Sequence, residues 1–163
     1  MREQGEHDTR MEKRLISSPI PESTASSAQV LFDHAEILPV GRRLLLDLET
    51  RTAILLSLAE GESSCLFRTF LLPPTAAPIF LVLLQTYPHH CTHRALFHAL
   101  YPQTGSMDEQ EWDQKKDLAI PLIRRALKAL LPALRGCGLQ AVSLRGQGYV
   151  LAPLSPSQEN HSR

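Results

Sequence analysis

The chain has 163 residues, and its 17 basic and 17 acidic side chains leave a formal net charge of zero. This balance excludes a uniformly basic nucleic-acid coat protein, although it allows a local basic patch. Three cysteines (Cys65, Cys91 and Cys137) are an odd number without paired spacing, which favours a reduced compartment over a disulfide scaffold. The start of the chain lacks a signal-peptide pattern, and the longest apolar run is about half as long as a membrane helix requires. We therefore expect a soluble cytoplasmic protein that does not associate with a membrane.

The sequence of the first half of the chain predicts a polar leader followed by a small sheet. Residues 1–28 are polar and aperiodic, which predicts a flexible leader. From Val30 to Leu72 the sequence becomes β-like, and turn residues separate its apolar runs at 36–40, 43–48, 52–58 and 65–71. Leucine favours helices, but these frequent breaks predict short strands in an antiparallel meander. This sheet would open a single domain spanning residues 29–152.

Two short helices are predicted next. Thr75 could cap a helix over 76–87, which is apolar nearly all round and is therefore predicted to be buried. Thr92 is predicted to cap a second helix over 93–101, whose core-facing stripe is Leu96, Phe97 and Leu100.

The segment 102–116 is polar and acidic and is predicted to be a loop. It contains Trp112, the only tryptophan of the chain. Two interpretations of Trp112 stay open. Packing back onto the core is favoured, and an exposed anchor for a protein partner is the alternative.

Residues 117–151 carry the clearest pattern, a basic amphipathic helix followed by a β-hairpin. Ile123, Leu127, Leu130 and Leu134 fall on one helical stripe, as expected of a helix packed on a core. Four basic residues gather on the opposite side: Arg124, Arg125, Lys128 and Arg135. Two β-like runs, 139–144 and 149–151, are joined by Arg145-Gly146-Gln147-Gly148, which is typical of a hairpin. A basic helix face beside a basic hairpin suits a DNA duplex.

These residues resemble the end of OmpR/PhoB-type winged helix-turn-helix DNA-binding domains. The resemblance lies in Ile123-Arg124-Arg125 through Lys128-Ala129-Leu130 and Pro132, and in Ser143-Leu144-Arg145-Gly146-Gln147-Gly148-Tyr149. It implies an α+β fold with an N-terminal antiparallel sheet, three helices and a C-terminal hairpin wing. The second helix would be the positioning helix that crosses the DNA backbone.

The resemblance also implies roles for individual residues. Arg125 would reach base edges or phosphates in the major groove, and Arg124 and Lys128 would contact the backbone. Arg145 would stand at the wing tip, with Ser143 and Gln147 beside it. The implied partner is double-stranded DNA, bound by two copies on neighbouring half-sites; RNA polymerase or another regulator is the further partner implied.

The expected function is therefore a bacterial-type DNA-binding transcriptional regulator without a cofactor. Only a short polar leader precedes the domain, so we expect control without an attached receiver domain, through expression level, a partner or self-association. Phosphate-binding glycine loops, nucleophile elbows and metalloprotease helices are absent from the sequence, so we do not expect an enzyme.

The sequence departs from the family pattern where the basic helix begins. Ile120 and Leu122 replace residues that are usually polar, and Pro121 is predicted to lie in the first turn. Leu118 and Leu122 fall beside the basic face, where they could touch thymine methyl groups or a protein. The alternative function is accordingly a winged-helix protein-interaction module that docks a partner through Leu118, Leu122 and Trp112.

A group of histidines and one cysteine resembles a metal site at first sight: His89, His90, Cys91, His93 and His98. Adjacent histidines in a turn cannot all face one ion, and no second pair stands at zinc-finger spacing. We therefore predict a polar helix start without a metal. Cys137, which lies between two glycines, is predicted to be a small turn residue.

Overall fold

The computed structural model describes residues 28–57 and 66–155. The elements within these ranges are β1 (Gln29–Phe32), β2 (Arg42–Asp47), β3 (Thr52–Ser57), β4 (Leu66–Leu71), α1 (Ala76–Thr86), β5 (Cys91–Thr92), α2 (His93–Leu100), a 3₁₀ turn (Pro102–Thr104), α3 (Glu109–Gly136), β6 (Leu139–Leu144) and β7 (Gly148–Pro153). The architecture is α+β, with three α-helices and antiparallel sheets. The predicted leader, apart from its last residue, lies outside the described residues, as do Cys65 and the chain beyond 155.

The first sheet is an antiparallel meander in the order β1-β2-β3-β4, as the spacing of turn residues predicted. One predicted strand is wrong, because the run 36–40 forms a turn and the first strand is β1 instead. The His34 carbonyl accepts hydrogen bonds from the backbone N–H groups of Ile37 and Leu38 at 3.1 and 2.9 Å. Both of these side chains are buried. The apolar character of the run therefore reflects a buried turn, which local periodicity does not distinguish from a strand.

The core lies between this sheet and the helices. Alternate residues of β2 and β3 face it: Leu44, Leu46, Ala53 and Leu55. Helix α1 contributes six buried residues, including Ile79, Phe80, Leu83 and Leu84, so its prediction as a buried helix is confirmed. The predicted cap at Thr75 is wrong in its mechanism, because the N-cap residue has helical backbone angles and its side chain makes no capping hydrogen bond.

A second, three-stranded sheet joins the start of α2 to the C-terminal hairpin. Its order is β5-β7-β6, and both pairings are antiparallel. The Thr92 hydroxyl accepts a hydrogen bond from the Ala95 backbone N–H at 3.2 Å, which confirms the predicted cap of α2. Because β5 leads directly into α2, the short β5–β7 pairing holds the hairpin against the first turn of this helix.

Helix α3 is longer than predicted. It begins at Glu109, so most of the predicted acidic loop is helical. The Asp108 carboxylate accepts a hydrogen bond from the Glu111 backbone N–H at 2.8 Å, and acidic residues occupy the first turn, where they favour the positive end of the helix dipole. The placement of Pro121 in a first turn is therefore wrong, because this proline lies inside the 28-residue helix.

The folded chain continues slightly beyond the predicted boundary at residue 152. Strand β7 ends at Pro153, and the Leu154 backbone N–H donates a hydrogen bond to the Gly138 carbonyl at 2.8 Å. Across the two described ranges, no helix is both long and apolar enough to span a membrane.

Candidate nucleic-acid interface

Helix α3 has a buried side and an exposed side along its second half. Ile123, Leu130 and Leu134 are fully buried and Leu127 is 7% exposed, which confirms the predicted core stripe. The exposed side, which we call the outer stripe, follows the helical period with residues three or four apart. It consists of Asp117, Leu118, Pro121, Arg124, Arg125, Lys128, Leu131, Pro132 and Arg135.

The outer stripe has a net positive charge, because it holds four basic residues and Asp117. Arg124, Arg125 and Lys128 are exposed on consecutive turns of α3. The ion pairs found among the described residues, Arg43 with Asp33 and Lys116 with Asp113, do not involve them. Cations that are not committed to a carboxylate are available to phosphate oxygens, which Lys and Arg bind through charge-assisted hydrogen bonds.

The turn of the hairpin consists of residues 145–147. The Gln147 backbone N–H donates to the Leu144 carbonyl at 3.0 Å, and Gly146 has a φ of 72°, which favours glycine. Arg145 and Gln147 are exposed in this turn, and Ser143 is exposed at the end of β6 opposite Tyr149. The structure therefore places all three predicted hairpin residues at the solvent-facing end of the hairpin.

Gly148 fixes the hairpin to the rest of the domain. It is buried, pairs with Thr92 across the second sheet and has a φ of 149°. A Cβ atom at this position would overlap the Cys91 backbone carbonyl. Only glycine allows the two backbones to approach this closely. The sequence pattern indicated a turn glycine, and it gave no sign that this residue is the point where β7 meets β5.

His93 connects three elements that the sequence did not link. Its ring meets the edge of the Tyr149 ring, with centroids 5.6 Å apart and planes at 88°. Burial, and secondarily the positive charge of Arg124, lower the pKa of His93 from its ordinary value of 6.5. Arg124 is therefore close enough to the start of α2 for its charge to act on His93, whose ring contacts the second residue of β7. His93 thus lies near both the outer stripe and the β6–β7 hairpin.

An open groove of about 350 Å³ runs between the hairpin turn and the first turns of α2 and α3. Gly146 and Gln147 line it on one side, and His93 and Arg94 line it on another. Arg94 is exposed and was not among the predicted site residues. Its position immediately after a capped helix start is the sequence feature that could have identified it. Glu109 also lines the groove, so its charge is mixed.

The three residues proposed for a protein contact do not form one surface. Trp112 is half-buried with its ring centroid 6.2 Å from that of Phe97, which supports the interpretation that it packs toward the core. Leu118 is 76% exposed on the outer stripe, and Leu122 is half-buried at the edge of that stripe. At 3.6 residues per turn, Trp112 points about 120° away from Leu118. Ile120 is half-buried on the other edge of the stripe.

The described cysteines are enclosed rather than reactive. Burial raises the pKa of the Cys91 thiol to about 11 and that of the Cys137 thiol to about 12. Cys137 lies in the turn after α3, where the sequence placed it. Within residues 28–57 and 66–155, histidines, cysteines and carboxylates do not gather into a group of three that could hold a metal ion.

Comparison with known proteins does not assign the chain to a family. It matches no protein-family model, no curated protein and no solved structure. The resemblance to OmpR/PhoB-type domains therefore depends on the residues of α3 and the hairpin that carry it. Chemically, the site combines exposed guanidinium groups, a turn that contains Gly146 and an apolar edge at Leu118.

Proposed function

We propose that this protein is a DNA-binding transcriptional regulator of the winged helix-turn-helix type. Helix α2 would be the positioning helix, α3 the recognition helix in the major groove, and the β6–β7 hairpin the wing on the backbone or in the minor groove. The order of these elements supports the proposal, and so does the pairing of β5 with β7, which holds the hairpin beside the start of α2.

One observation carries the proposal. Arg124, Arg125 and Lys128 form an exposed line along α3 without an acidic partner among the described residues, and Arg124 lies close enough to His93 to affect its pKa. Because His93 also contacts Tyr149 of β7, the cationic helix face and the hairpin that carries Arg145 both lie near the start of α2. A duplex offers phosphates on both sides of a groove, which fits two neighbouring basic elements.

Each predicted residue has a role in this proposal. Arg125 would reach a guanine or a phosphate in the major groove, while Arg124 and Lys128 would neutralise phosphates. Arg145 would contact the backbone or the minor groove from the wing tip, with Ser143 and Gln147 contributing hydrogen bonds there.

The regulator would act in the bacterial cytoplasm, and two copies would bind neighbouring half-sites about one helical turn apart. The acidic first turn of α3, which includes Glu109 and Glu111, would lie outside the DNA major groove, because it is about 20 Å from Arg125 along the helix axis at ~1.5 Å per residue. RNA polymerase or another regulator could contact them there.

The test is fluorescence anisotropy of a labelled random duplex with the full chain, measured from low to physiological salt. The variants are Arg125→Ala and Arg145→Ala, with Arg68→Ala as the matched control, since it removes an equal charge from an exposed position in the first sheet. We expect each site variant to weaken binding about tenfold, and each lost phosphate contact to reduce the slope of log K against log salt by ~0.9. The control should leave both unchanged.

Absence of duplex binding at low salt would overturn the proposal. Equal losses in Arg125→Ala, Arg145→Ala and Arg68→Ala would show that the protein attracts DNA through general charge, and this result would contradict the assigned surface.

A protein-interaction module is the second candidate function, and the 76% exposure of Leu118 favours it. In that case Leu118→Ala and Leu122→Ala would abolish partner binding, and added salt would have little effect. Under the DNA proposal the arginine variants dominate and salt weakens binding steeply.

A further inference from the structure

The outer stripe of α3 offers a narrow set of chemical groups to a base pair. Residues 117–135 contain no Asn, Gln, Ser, Thr or His, so this part of α3 lacks the amide and hydroxyl groups that commonly hydrogen-bond to bases. The glutamines of α3, Gln110 and Gln114, are exposed in the turns before this part. Its exposed polar groups in the middle of the stripe are Arg124, Arg125 and Lys128. Adenine is usually recognised by an Asn or Gln that bonds to its N6 and N7 atoms, and residues 117–135 have no side chain that makes this contact.

Apolar side chains adjoin these cations. Leu118 is 76% exposed, Pro121 is exposed and Leu122 is half-buried. By helical geometry Leu118, Leu122 and Arg125 lie within about 60° of one another around the axis. A leucine with three quarters of its surface in water gains from any apolar surface that covers it. In the major groove the apolar group that a base pair presents is the 5-methyl group of thymine.

We infer that α3 reads DNA through thymine methyl groups at Leu118 and Leu122 and through guanine at Arg125. This inference rests on the proposed function and specifies which DNA sites the protein would prefer. These are sites in which thymine and guanine edges lie close together in the major groove. An A·T pair is then recognised through its thymine rather than through its adenine.

Charge and dimensions favour DNA over a protein as the occupant of this apolar edge. Arg124, Arg125 and Lys128 lie within ten residues of Leu118 on the same stripe, and a protein partner would have to compensate all three charges. The rise from Leu118 to Arg125 is about 10 Å, which fits a major groove about 12 Å wide.

The experiment removes only the methyl groups. A duplex that the full chain prefers is first selected from a random pool. It is then made with deoxyuridine in place of thymidine, which leaves charge and base pairing unchanged. Affinities for the two duplexes are compared by fluorescence anisotropy for the wild type, Leu118→Ala and Leu122→Ala. Leu131→Ala, at a 36% exposed position further along the stripe, is the matched control, and circular dichroism checks that each variant is folded.

We expect the wild type to bind the thymine duplex about fourfold more tightly for each contacted methyl group, and therefore about fifteenfold for two. Leu118→Ala should lose its part of this preference, and Leu131→Ala should keep all of it. Leu118 is exposed, so its substitution leaves the core unchanged.

Equal affinity of the wild type for the two duplexes would overturn the inference while leaving DNA binding intact. A preference that persists undiminished in Leu118→Ala and Leu122→Ala would also overturn it, because the methyl effect would then come from DNA shape or from other residues. If the wild type binds no duplex at low salt, the proposed function fails together with the inference. If it binds duplexes without preferring any sequence, the inference alone is overturned.

Discussion

Replacing Gly148 by alanine tests whether the hairpin is rigidly attached to α2. This residue has a φ of 149°, a region that side chains with a Cβ atom rarely adopt, and such strain costs about 1–3 kcal/mol. The added Cβ would also overlap the backbone of Cys91 and Thr92, which cannot move away without opening the β5–β7 pairing. Overpacking of this kind costs another ~1–3 kcal/mol. We expect Gly148→Ala to lower the free energy of unfolding by about 2–6 kcal/mol in total.

Gly146→Ala is the matched control, because it makes the same change two residues earlier in the same hairpin. Gly146 also has a positive φ, of 72°, but apart from its chain neighbours none of the residues that the structure describes has an atom within 4 Å of the position that its Cβ would occupy. Its substitution should therefore cost only the backbone strain of about 1–2 kcal/mol.

The assay is urea unfolding followed by the fluorescence of Trp112, the only tryptophan, which lies beside the groove that the hairpin turn lines. Gly148→Ala should shift the midpoint to much lower urea than Gly146→Ala does, with little change in the m-value. Equal destabilisation by the two substitutions would refute the reasoning, since it would mean that the contact between β5 and Gly148 contributes nothing beyond local backbone strain.

Three further predictions concern α3, α2 and the buried thiols. Pro121→Ala should raise the free energy of unfolding by about 1–3 kcal/mol, since it restores a helical N–H donor at an exposed position; unchanged urea stability would contradict this. The pKa of His93 is lower in the folded protein than in the unfolded chain, so the unfolded chain binds a proton at this imidazole more readily. The free energy of unfolding should therefore fall as the pH drops below about 6.5. His93→Gln should flatten that profile in urea titrations between pH 5 and 8. In a Cys65→Ser background, Cys91 and Cys137 should react with a thiol reagent at pH 8 only after unfolding, because burial raises both pKa values; fast labelling of the native protein would argue against this enclosure.

Features that depend on residues close together along the chain were predictable from the sequence alone. The core stripe through Ile123, Leu130 and Leu134 follows from the helical period, which holds wherever the helix packs. The cap at Thr92 depends on a hydroxyl and an amide three residues apart. The hairpin around Gly146 depends on turn residues that tolerate a positive φ. Local geometry explains each of these three features.

Other features depended on contacts between distant parts of the chain. The run 36–40 has strand-like composition, yet Ile37 and Leu38 are buried in a turn. Burial of an apolar side chain does not require a particular backbone conformation, so composition alone did not distinguish this turn from a strand. The sequence around Trp112 predicts an acidic loop. The packing of Trp112 near Phe97 shows instead that one side of this segment faces α2.

The candidate site also combines a feature that the local sequence predicts with one that depends on distant contacts. The sequence by itself determined that Arg124, Arg125 and Lys128 share one face of a helix, because side chains three and four residues apart project to the same side. Only the tertiary structure decided that this face lies beside the hairpin. That arrangement requires β5 to pair with β7, and the pairing depends on a glycine at residue 148 that lets its backbone approach Cys91, more than fifty residues earlier in the chain. Such a backbone contact leaves no periodic pattern in the sequence.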